Sequence, residues 1–417
     1  MFFLGEYKME KSNIRPIDKK IPAKGKVSAL LFVAFITLLL FVLLASGFPK
    51  AFITDYRNTV SKGTPVFERI EQARDIFDTL IVESVPAHDF FIEVYGVSQK
   101  ILSKKTIPDP NYSYLFLTRE GQITYQIPQR DLSTEAEKVI ALKGELEKEG
   151  LTFLWVLAPF RLLDEKSVTS ITFDYGKENA DYFIDQLSNS GVKSLDLRRE
   201  FRYYLKEGFS QGDLFYNTDH HWTIPAALKA TGVIADTLNH QFNFSIDTNL
   251  YNEENYIFKT HKDSFVGSMG RRVGLIYGGK DDFTLVLPKF PTDIQLWETD
   301  YGITTQSRGS FEDSVLLKEH LEDPELTANR YAAYHGDNEE LVFINHKVDR
   351  GKILIIKDSF GVPVYSFLSL GVNEVRALDP RLYKGSILEY AKEFQPEVVI
   401  FLYNVDSLNS QMFQWEL

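Results

Sequence analysis

Short apolar runs alternate with helix-like segments from about residue 106 to the end of the chain, and this alternation limits the fold more than any other feature. The runs "LTFLWVLAP" (151–159), "GKILIIKDSF" (351–360) and "PEVVIFLYN" (396–404) are typical of strands buried on both faces. Segments such as "TEAEKVIALKGELEKEG" (134–150) and "GSILEYAKEF" (385–394) have helical spacing. The pattern predicts an α/β fold in which a parallel sheet is covered by helices.

The alternation is interrupted between about residues 250 and 345. Stretches there such as "VGSMGRRVGLIYGGKDDFTLVLP" are rich in Gly, Asp and Tyr and predict loops and short antiparallel strands. The Pro-rich "TIPDPNYSY" marks a boundary near residue 106. We therefore interpret residues 106–417 as one α/β domain with an insertion at about 250–345.

The N-terminal part contains an uncharged stretch, "VSALLFVAFITLLLFVLLASGF" at residues 27–48, that has the ~20-residue length of a membrane-spanning helix. Basic residues precede it, namely Arg15, Lys19, Lys20, Lys24 and Lys26. By the positive-inside rule, residues 1–26 form a cytoplasmic tail and the rest of the chain lies outside the cell membrane. The apolar core is longer than that of a cleaved signal peptide, and no small-x-small cleavage site follows it, so the sequence predicts an uncleaved signal anchor.

Residues 49–105 are predicted to connect this anchor to the α/β domain. The stretch "VFERIEQARDIFDTLIVESV" (66–85) has apolar residues at helical spacing, which indicates a helical juxtamembrane connector.

Composition excludes several classes of function. The net charge of −12 argues against a nucleic-acid partner, because phosphate binding requires a basic face. The absence of cysteine excludes a thiol nucleophile, a cysteine-ligated zinc and a disulfide.

The stretch "YNTDHHWTIPAALKA" (216–230) concentrates chemically active side chains before a helix. Thr223 is a good N-cap, and Pro225 suits the first helical turn, where a missing amide hydrogen costs little. Asp219, the two histidines and Trp222 are therefore expected in the loop that leads into this helix.

Three interpretations of this loop remain open. In an extended loop neighbouring side chains diverge and residues two apart point the same way, which favours Asp219 as the orienting partner of His221. The same geometry disfavours His220 and His221 as joint ligands of one metal ion. A 2-His-1-carboxylate site would need a distant third ligand such as His261 or His335. A purely structural histidine pair, capped by the tryptophan, is the third interpretation.

A serine follows a predicted buried strand 138 residues after His221. "KILIIKDSFG" ends as Lys357-Asp358-Ser359, and the carboxyl ends of parallel strands are where ligands bind in such sheets. A serine there exposes its hydroxyl close to backbone amides, and a histidine oriented by a carboxylate would supply its base. The D-x-H loop and this serine together predict a Ser-His-Asp triad.

Taken together, these motifs resemble the DHHW protein family, which is similar to the alginate O-acetyltransferases, exported SGNH-hydrolase-like proteins that acetylate polysaccharides. D-x-H-W opens a helix and strand-K-D-S-F follows much later. Three lesser motifs stand in the same order, "YSYLFLTREGQI" (112–123), "FVGSMGRRVG" (265–274) and "ALDPRLY" (377–383). The resemblance covers about residues 106–417 and implies an SGNH-hydrolase-like sheet.

The resemblance implies a role for individual residues. Ser359 would be the nucleophile, His221 the general base and Asp219 its orienting acid. Arg381 matches an arginine near the active site, and Tyr365 matches an aromatic position there. A salt bridge for this arginine and a core position for this tyrosine are the alternative interpretations.

Other positions are assigned less directly. Tyr403 and Asn404 end a predicted strand and are candidates for lining the pocket or donating to an oxyanion, although packing is the alternative for Tyr403. His220 and Trp222 are assigned to the layer behind the catalytic residues. A GDS-type motif has glycine where this chain has Lys357, so the Ser359 amide is the one oxyanion donor that the motif identifies.

The resemblance implies a membrane-anchored O-acetyltransferase that modifies a cell-envelope or secreted polysaccharide through an acyl-serine intermediate, without a metal or other cofactor. Its acetyl groups would come from a membrane-bound O-acyltransferase partner. A carbohydrate acetyl-esterase with the same triad is one alternative. A non-catalytic envelope protein that binds or assembles glycans is another.

Overall fold

A mixed sheet of eight strands forms the centre of the protein in our computed structural model. The structure describes residues 37, 48–59, 69–70, 72–74, 76–77, 88–161, 174–322 and 329–416. The strands are β1 Thr106–Asp109, β2 Ser113–Leu117, β3 Ile123–Thr124, β4 Phe153–Ala158, β5 Ser194–Asp196, β6 Tyr256–Phe265, β7 Asp281–Pro288, β8 Ile294–Asp300, β9 Ile303–Gly309, β10 Glu340–Asn345, β11 Lys352–Lys357, β12 Glu374–Leu378 and β13 Val398–Asn404.

The α-helices are α1 Phe48–Thr59, α2 His88–Ile101, α3 Ser133–Lys148, α4 Gly176–Asn189, α5 Leu197–Lys206, α6 Gln211–Leu214, α7 Ile224–Phe242, α8 Ser268–Val273, α9 Leu275–Gly278, α10 Phe311–Ser314, α11 Glu319–Glu322, α12 Gly361–Leu368 and α13 Ile387–Phe394. Short 3-10 helices span Thr248–Tyr251, Glu253–Asn255, Arg330–Tyr334 and Ser410–Phe413.

The strand order of the central sheet is β5-β4-β13-β11-β12-β10-β8-β9. The first five strands in this order, β5, β4, β13, β11 and β12, are parallel to one another, as the alternating sequence pattern predicts. The next three strands, β10, β8 and β9, are antiparallel. The mixed α/β fold is confirmed, and the antiparallel strands lie at one edge of the sheet. Part of the supposed insertion at 250–345 extends the main sheet, because β10 pairs along β12 from Glu340↔Leu378 to Ile344↔Glu374.

Helices cover both faces of this sheet because its central parallel strands carry apolar side chains on both faces. β4 and β13 are buried along their whole length, and alternate side chains point to opposite layers. One layer packs α5, α7 and α12 on Leu154, Val156, Ile353, Ile355, Ile400 and Leu402. The other packs α3, α4 and α13 on Phe153, Trp155, Leu354, Ile356, Phe401 and Tyr403. The result is the three-layer architecture typical of α/β domains.

Two smaller sheets lie beside the central one. β1, β2 and β3 form an antiparallel sheet, and β6 pairs with β7 as a long hairpin. The hairpin lies within the region where the sequence predicts antiparallel strands. The segment between its two strands contains α8, which borders the site described below.

The chain divides into two units, Met1–Phe91 and Ile92–Leu417. In the first unit the structure describes α1, where Phe52 packs on Tyr56 with ring centroids 6.1 Å apart, and short helical pieces between residues 69 and 77. Within the described part of the chain, we find no helix long and apolar enough to cross a membrane. Apart from Thr37 and Phe48, the predicted anchor at 27–48 lies outside the described residues.

Candidate active site

The loop that carries the two histidines is a tight bend rather than an extended segment. Phe215 and Trp222 form an antiparallel bridge across it, and the amide of Tyr216 donates to the carbonyl of His221 at 3.2 Å. The helix after it begins as the sequence predicts. Thr223 caps α7 by accepting a hydrogen bond from the amide of Ala226 at 3.2 Å.

Asp219 is buried under this bend and binds three donors. One carboxylate oxygen accepts the amide of His221 at 3.0 Å and lies 2.5 Å from its ring Nδ1. The other accepts the amide of Ser268, the first residue of α8, at 2.8 Å. Burial raises the pKa of the Asp219 carboxyl, but the two adjacent histidines and these hydrogen bonds outweigh it and hold the pKa well below its usual range. Asp219 is therefore a carboxylate at neutral pH.

Gly267 allows α8 to come this close. A Cβ atom at residue 267 would lie 2.1 Å from the Cβ of Asp219, which is well inside van der Waals contact. Only glycine therefore fits at position 267 of the "FVGSMGRRVG" motif, since a larger residue would push the Ser268 amide away from the Asp219 carboxylate.

Ser359 follows the carboxyl end of β11, and its Oγ lies 2.6 Å from Nε2 of His221. The preceding residue, Asp358, fixes this turn. Its carboxylate accepts the amide of Phe360 at 2.8 Å and both the amide and the side-chain Nδ2 of Asn404, at 2.6 and 2.8 Å. The structure thus brings Asp219, His221 and Ser359 into one hydrogen-bonded row, although 138 residues separate the last two.

The imidazole of His221 is held on its faces as well as at its nitrogens. Tyr331 stacks on it with ring centroids 4.1 Å apart and planes inclined by 19°. The hydroxyl of this tyrosine accepts a hydrogen bond from Nε1 of Trp222 at 3.0 Å. Trp222 is fully buried and stacks on Phe201, and it does not line the cleft described next.

The row borders a cleft of about 390 Å³. Besides the three residues above, it is lined by His220, Val266, Gly267, Ser268, Arg271, Asn329, Tyr331, Ala332, Gly336, Asp337, Val362 and Arg381. The lining therefore combines apolar and charged side chains, and both Ser359 and His221 are part of it. Among the described residues, the Ser359 amide donates no backbone hydrogen bond.

An ion network forms one side of the cleft, with Lys357 and Asp379 buried and with Asp337 and Arg381 partly exposed. Nζ of Lys357 lies 2.5 Å from Asp337 and 3.0 Å from Asp379. Arg381 pairs with both carboxylates, at 2.8 Å from Asp337 and 2.5 Å from Asp379. Burial raises the pKa of Asp337, but the two cations outweigh it and lower the pKa below its usual range. Lys357 therefore has a structural role at the position where a GDS motif has glycine.

His220 corrects the expectation that the two histidines diverge. Its ring centroid lies 3.9 Å from that of His221, because the chain bends at these residues and the rule for extended strands does not apply. Burial, and then the neighbouring His221, lower the pKa of His220 to about 4. Its Nδ1 is 3.6 Å from Asp219 and has no hydrogen-bond partner among the described residues.

The ligand atoms of Asp219, His220 and His221 lie within 4.8 Å of one another, so these residues could hold a metal ion. Both ring nitrogens of His221 are already engaged, with Asp219 and Ser359, and a metal would displace one of these contacts. His335, a candidate third ligand, instead lies 2.9 Å from the carbonyl of Val315. His261, the other candidate, is on β6 and outside this group.

Three predicted pocket residues do not line the cleft. Tyr365 is buried in the core, and its hydroxyl donates to the carbonyl of Gly336 at 2.6 Å. Tyr403 points into the opposite helix layer, where its hydroxyl donates to the carbonyl of Met412. Asn404 uses its donors on the carboxylate of Asp358 and on Ser407. Their contacts agree with the alternatives of a core position for Tyr365 and packing for Tyr403, whereas Arg381 does line the cleft.

Sequence reasoning missed Tyr331 and Asp337. Both lie in the irregular region before β10, within "YAAYHGDNEE", where no periodicity distinguishes a site residue from a loop residue. Ser268 stands within a motif noted in the sequence, yet its contact with Asp219 depends on long-range folding.

Comparison with known proteins confirms the resemblance. Residues 113–279 match the family described as SGNH hydrolase-like domain, acetyltransferase AlgX. The match includes Asp219 and His221 but ends before Ser359, and it covers less than half of the chain. No curated protein matches the chain significantly.

Solved structures share the fold. Bacillus cereus PatB1 with a sulfonyl adduct is 20% identical, with 75% of this chain and 100% of that chain covered and a TM-score of 0.60. PatB1 without the adduct is 21% identical, with 75% and 99% covered and a TM-score of 0.59. A DHHW family protein from Eubacterium siraeum is 16% identical, with 75% and 98% covered and a TM-score of 0.56. The chain therefore resembles SGNH-hydrolase-like acetyltransferases in sequence and DHHW proteins in fold.

Proposed function

We propose that this protein is an O-acetyltransferase that modifies a polysaccharide through an acetyl-serine intermediate on Ser359. The observation that supports this most directly is the row of contacts from Asp219 through His221 to Ser359, at 2.5 and 2.6 Å, on the edge of an open cleft. The matched acetyltransferase family gives the reaction class.

The first half-reaction forms the acetyl-serine. As Oγ of Ser359 attacks the carbonyl carbon of the acetyl donor, its proton passes to Nε2 of His221. The Asp219 carboxylate holds Nδ1–H and stabilises the imidazolium that forms. When the tetrahedral intermediate collapses, the bond to the donor's leaving group breaks and this group takes the proton from His221. The Ser359 amide is the candidate donor to the oxyanion, because it is not used elsewhere among the described residues.

The second half-reaction repeats these steps with a sugar hydroxyl. His221 takes the proton of the hydroxyl as its oxygen attacks the acetyl-serine carbonyl, and the proton then returns to Oγ of Ser359. Water in place of the sugar would give free acetate, which is the reaction of an esterase. The difference depends on how well the cleft orients the acceptor and excludes water.

We further propose that the protein acts outside the cytoplasmic membrane, held by residues 27–48, and receives acetyl groups from a membrane-bound O-acyltransferase. The uncharged stretch and the basic residues before it support the location. A donor partner is needed in this arrangement because cytoplasmic acetyl donors are absent outside the membrane.

The test uses the full chain in detergent with p-nitrophenyl acetate as donor, with and without an oligosaccharide acceptor. Ser359→Ala is expected to reduce p-nitrophenol release by at least about 10³-fold and His221→Ala by about 10²–10⁴-fold. Ser188→Ala and His240→Ala are the matched controls, since both residues are exposed on helices away from the cleft. Acetylated sugar indicates a transferase, and free acetate alone indicates an esterase.

A second readout identifies the nucleophile directly. Because PatB1 is known with a sulfonyl adduct, phenylmethylsulfonyl fluoride is a suitable probe. Mass spectrometry should place one sulfonyl group on Ser359 in the wild type and none in His221→Ala. Turnover that is equal in the wild type and both alanine variants would rule out the serine mechanism.

A further inference from the structure

A second cleft, of about 700 Å³, lies on the side of the protein that carries the small sheet β1-β2-β3. Its walls include the tyrosines Tyr112, Tyr114, Tyr125 and Tyr175. Between them are amide side chains, namely Asn111, Gln126, Gln129, Asn409 and Gln411. We call this the tyrosine cleft. No step of the mechanism above uses it.

The tyrosine cleft combines ring faces with polar groups. Tyr112 stacks on Tyr125 with centroids 4.3 Å apart and planes inclined by 23°. Tyr114 is 48% exposed, so its ring is accessible to a ligand in the cleft. Tyrosine offers an apolar face with a polar tip, and amide side chains both donate and accept hydrogen bonds. A sugar has the matching surface, with C–H groups on its faces and hydroxyls around its edge.

The tyrosine cleft is connected to the catalytic loop by backbone hydrogen bonds. The amide of Ile123 in β3 donates to the carbonyl of Asn217 at 2.8 Å, two residues before Asp219. The buried guanidinium of Arg161 donates to the carbonyls of Ile123, Tyr216 and Asn217. The small sheet and the histidine loop are therefore held as one body.

Helix α8 runs between the two clefts. Arg271 lines the catalytic cleft, while its neighbour Arg272 places its guanidinium 5.4 Å from the ring centroid of Tyr112. Burial raises the pKa of Tyr112, Arg272 lowers it, and the charge of Asp219 raises it again. Arg271 and Arg272 are adjacent in α8, so this one helix contacts residues of both clefts.

The charges in the tyrosine cleft are paired with one another. Its two charged lining residues are Arg130 and Asp406, and Nη2 of Arg130 lies 2.8 Å from the Asp406 carboxylate. Outside the lining, Nη1 of Arg272 lies 3.4 Å from Asp109. The catalytic cleft likewise has as many carboxylates as guanidiniums among its lining residues. A polyanionic strand such as a polyuronate would be attracted by a cleft with an excess of one sign of charge. Paired charges instead suit a strand without net charge.

We infer that the tyrosine cleft binds the acceptor strand, and that this acceptor is a neutral oligosaccharide several sugars long. The inference rests on the proposed function, since it places the sugar hydroxyl at Ser359 and the rest of the strand against the tyrosines. The aromatic faces bind the sugars away from the reacting one, which makes acceptor length a determinant of affinity.

The experiment measures acetyl transfer to acceptors of different length and charge, with full-length protein in detergent and p-nitrophenyl acetate as donor. The probes are N-acetylglucosamine, its pentamer and an oligouronate of five residues. For the wild type we expect a pentamer KM at least about tenfold below that of the monosaccharide, and a higher KM for the oligouronate than for the neutral pentamer.

Tyr114→Ala tests the tyrosine contact itself. An aromatic contact of this kind contributes up to about tenfold in affinity, so the pentamer KM should rise by about that factor with little change in kcat. The preference for the pentamer over the monosaccharide should shrink accordingly, an effect that general destabilisation would not produce. Tyr182→Ala is the matched control, because Tyr182 is 41% exposed on α4 and lies outside both clefts.

Three outcomes would overturn the inference. One is a pentamer KM that Tyr114→Ala changes by less than about twofold, and another is a lower KM for the oligouronate than for the neutral pentamer. The third is donor hydrolysis that depends on Ser359 without transfer to any acceptor. Failure of the proposed function itself has a different signature, since donor turnover would then survive Ser359→Ala.

Discussion

Replacing Asp219 with asparagine keeps the size of the side chain but removes its charge and turns one acceptor into a donor. Three donors converge on the carboxylate, two from His221 on one oxygen and the Ser268 amide on the other. An asparagine can satisfy only one side. If its oxygen faces His221, its NH₂ group meets the Ser268 amide. If its oxygen faces Ser268, its NH₂ group meets the imidazole.

The second orientation is the one that stops catalysis. An NH₂ group facing Nδ1 makes this nitrogen an acceptor, so the ring proton moves to Nε2 and points at Ser359. The histidine then cannot accept the serine proton, and in Ser-His-Asp enzymes this tautomer costs about 10⁴-fold in kcat. In either orientation a buried donor loses its acceptor, which lowers the free energy of unfolding by about 1–3 kcal/mol.

The assay compares p-nitrophenol release and urea unfolding for the wild type and Asp219→Asn. Asp236→Asn is the matched control, because Asp236 also pairs with a histidine, His240, at 3.3 Å, but on the exposed surface. The control should change neither quantity. A folded Asp219→Asn variant that keeps more than about a tenth of wild-type turnover would refute the assigned role of this carboxylate.

Three further predictions follow from the contacts around the cleft. Gly267→Ala should lower the free energy of unfolding by about 1–3 kcal/mol in urea titrations, because the added methyl group would clash with Asp219. Gly144→Ala, on open helix surface, should raise this free energy by up to about 1 kcal/mol. Lys357→Met should cost about 3 kcal/mol in the same measurement because the buried carboxylate of Asp379 loses one of its two cations, and an unchanged stability would contradict that pairing. The pKa of His220 is lowered to about 4 in the folded chain, against about 6.5 in the unfolded chain. The contribution of this histidine to stability is therefore present above pH 6.5 and is lost as the pH falls toward 4. His220→Gln should reduce the fall in melting temperature between pH 7 and pH 5, and an identical fall would contradict the shift.

Much of this architecture could be predicted from local patterns. The continuous apolar strands β4, β11 and β13 indicate burial on both faces, and the Thr-x-Pro sequence correctly marks the start of α7. The order D-x-H then strand-D-S also predicts that Asp219, His221 and Ser359 lie together, because the carboxyl end of a parallel strand and its neighbouring loops share one edge of the sheet.

The remaining features depend on long-range geometry. Whether Tyr403 faces the cleft depends on which helix layer the odd-numbered residues of β13 face. A shift of the strand register by one residue would turn these side chains to the opposite layer. The addition of β8, β9 and β10 to the sheet depends on pairing with β12, which sequence periodicity does not encode. Tyr331 and Asp337 reach the cleft from a region without regular spacing, so only the folded chain brings them there.

The distance along the chain between His221 and Ser359 has a consequence for how activity develops during folding. Central strands of the sheet also come from distant segments, with β4 paired to β13 from Phe153↔Val399 to Ala158↔Asn404. Contacts between residues so far apart close large loops and form slowly compared with helices and hairpins. The reactive pair can therefore meet only after both ends of the domain are in place. Enzyme activity is thus a late marker of folding for this chain, and a nascent or partly folded molecule has no competent serine.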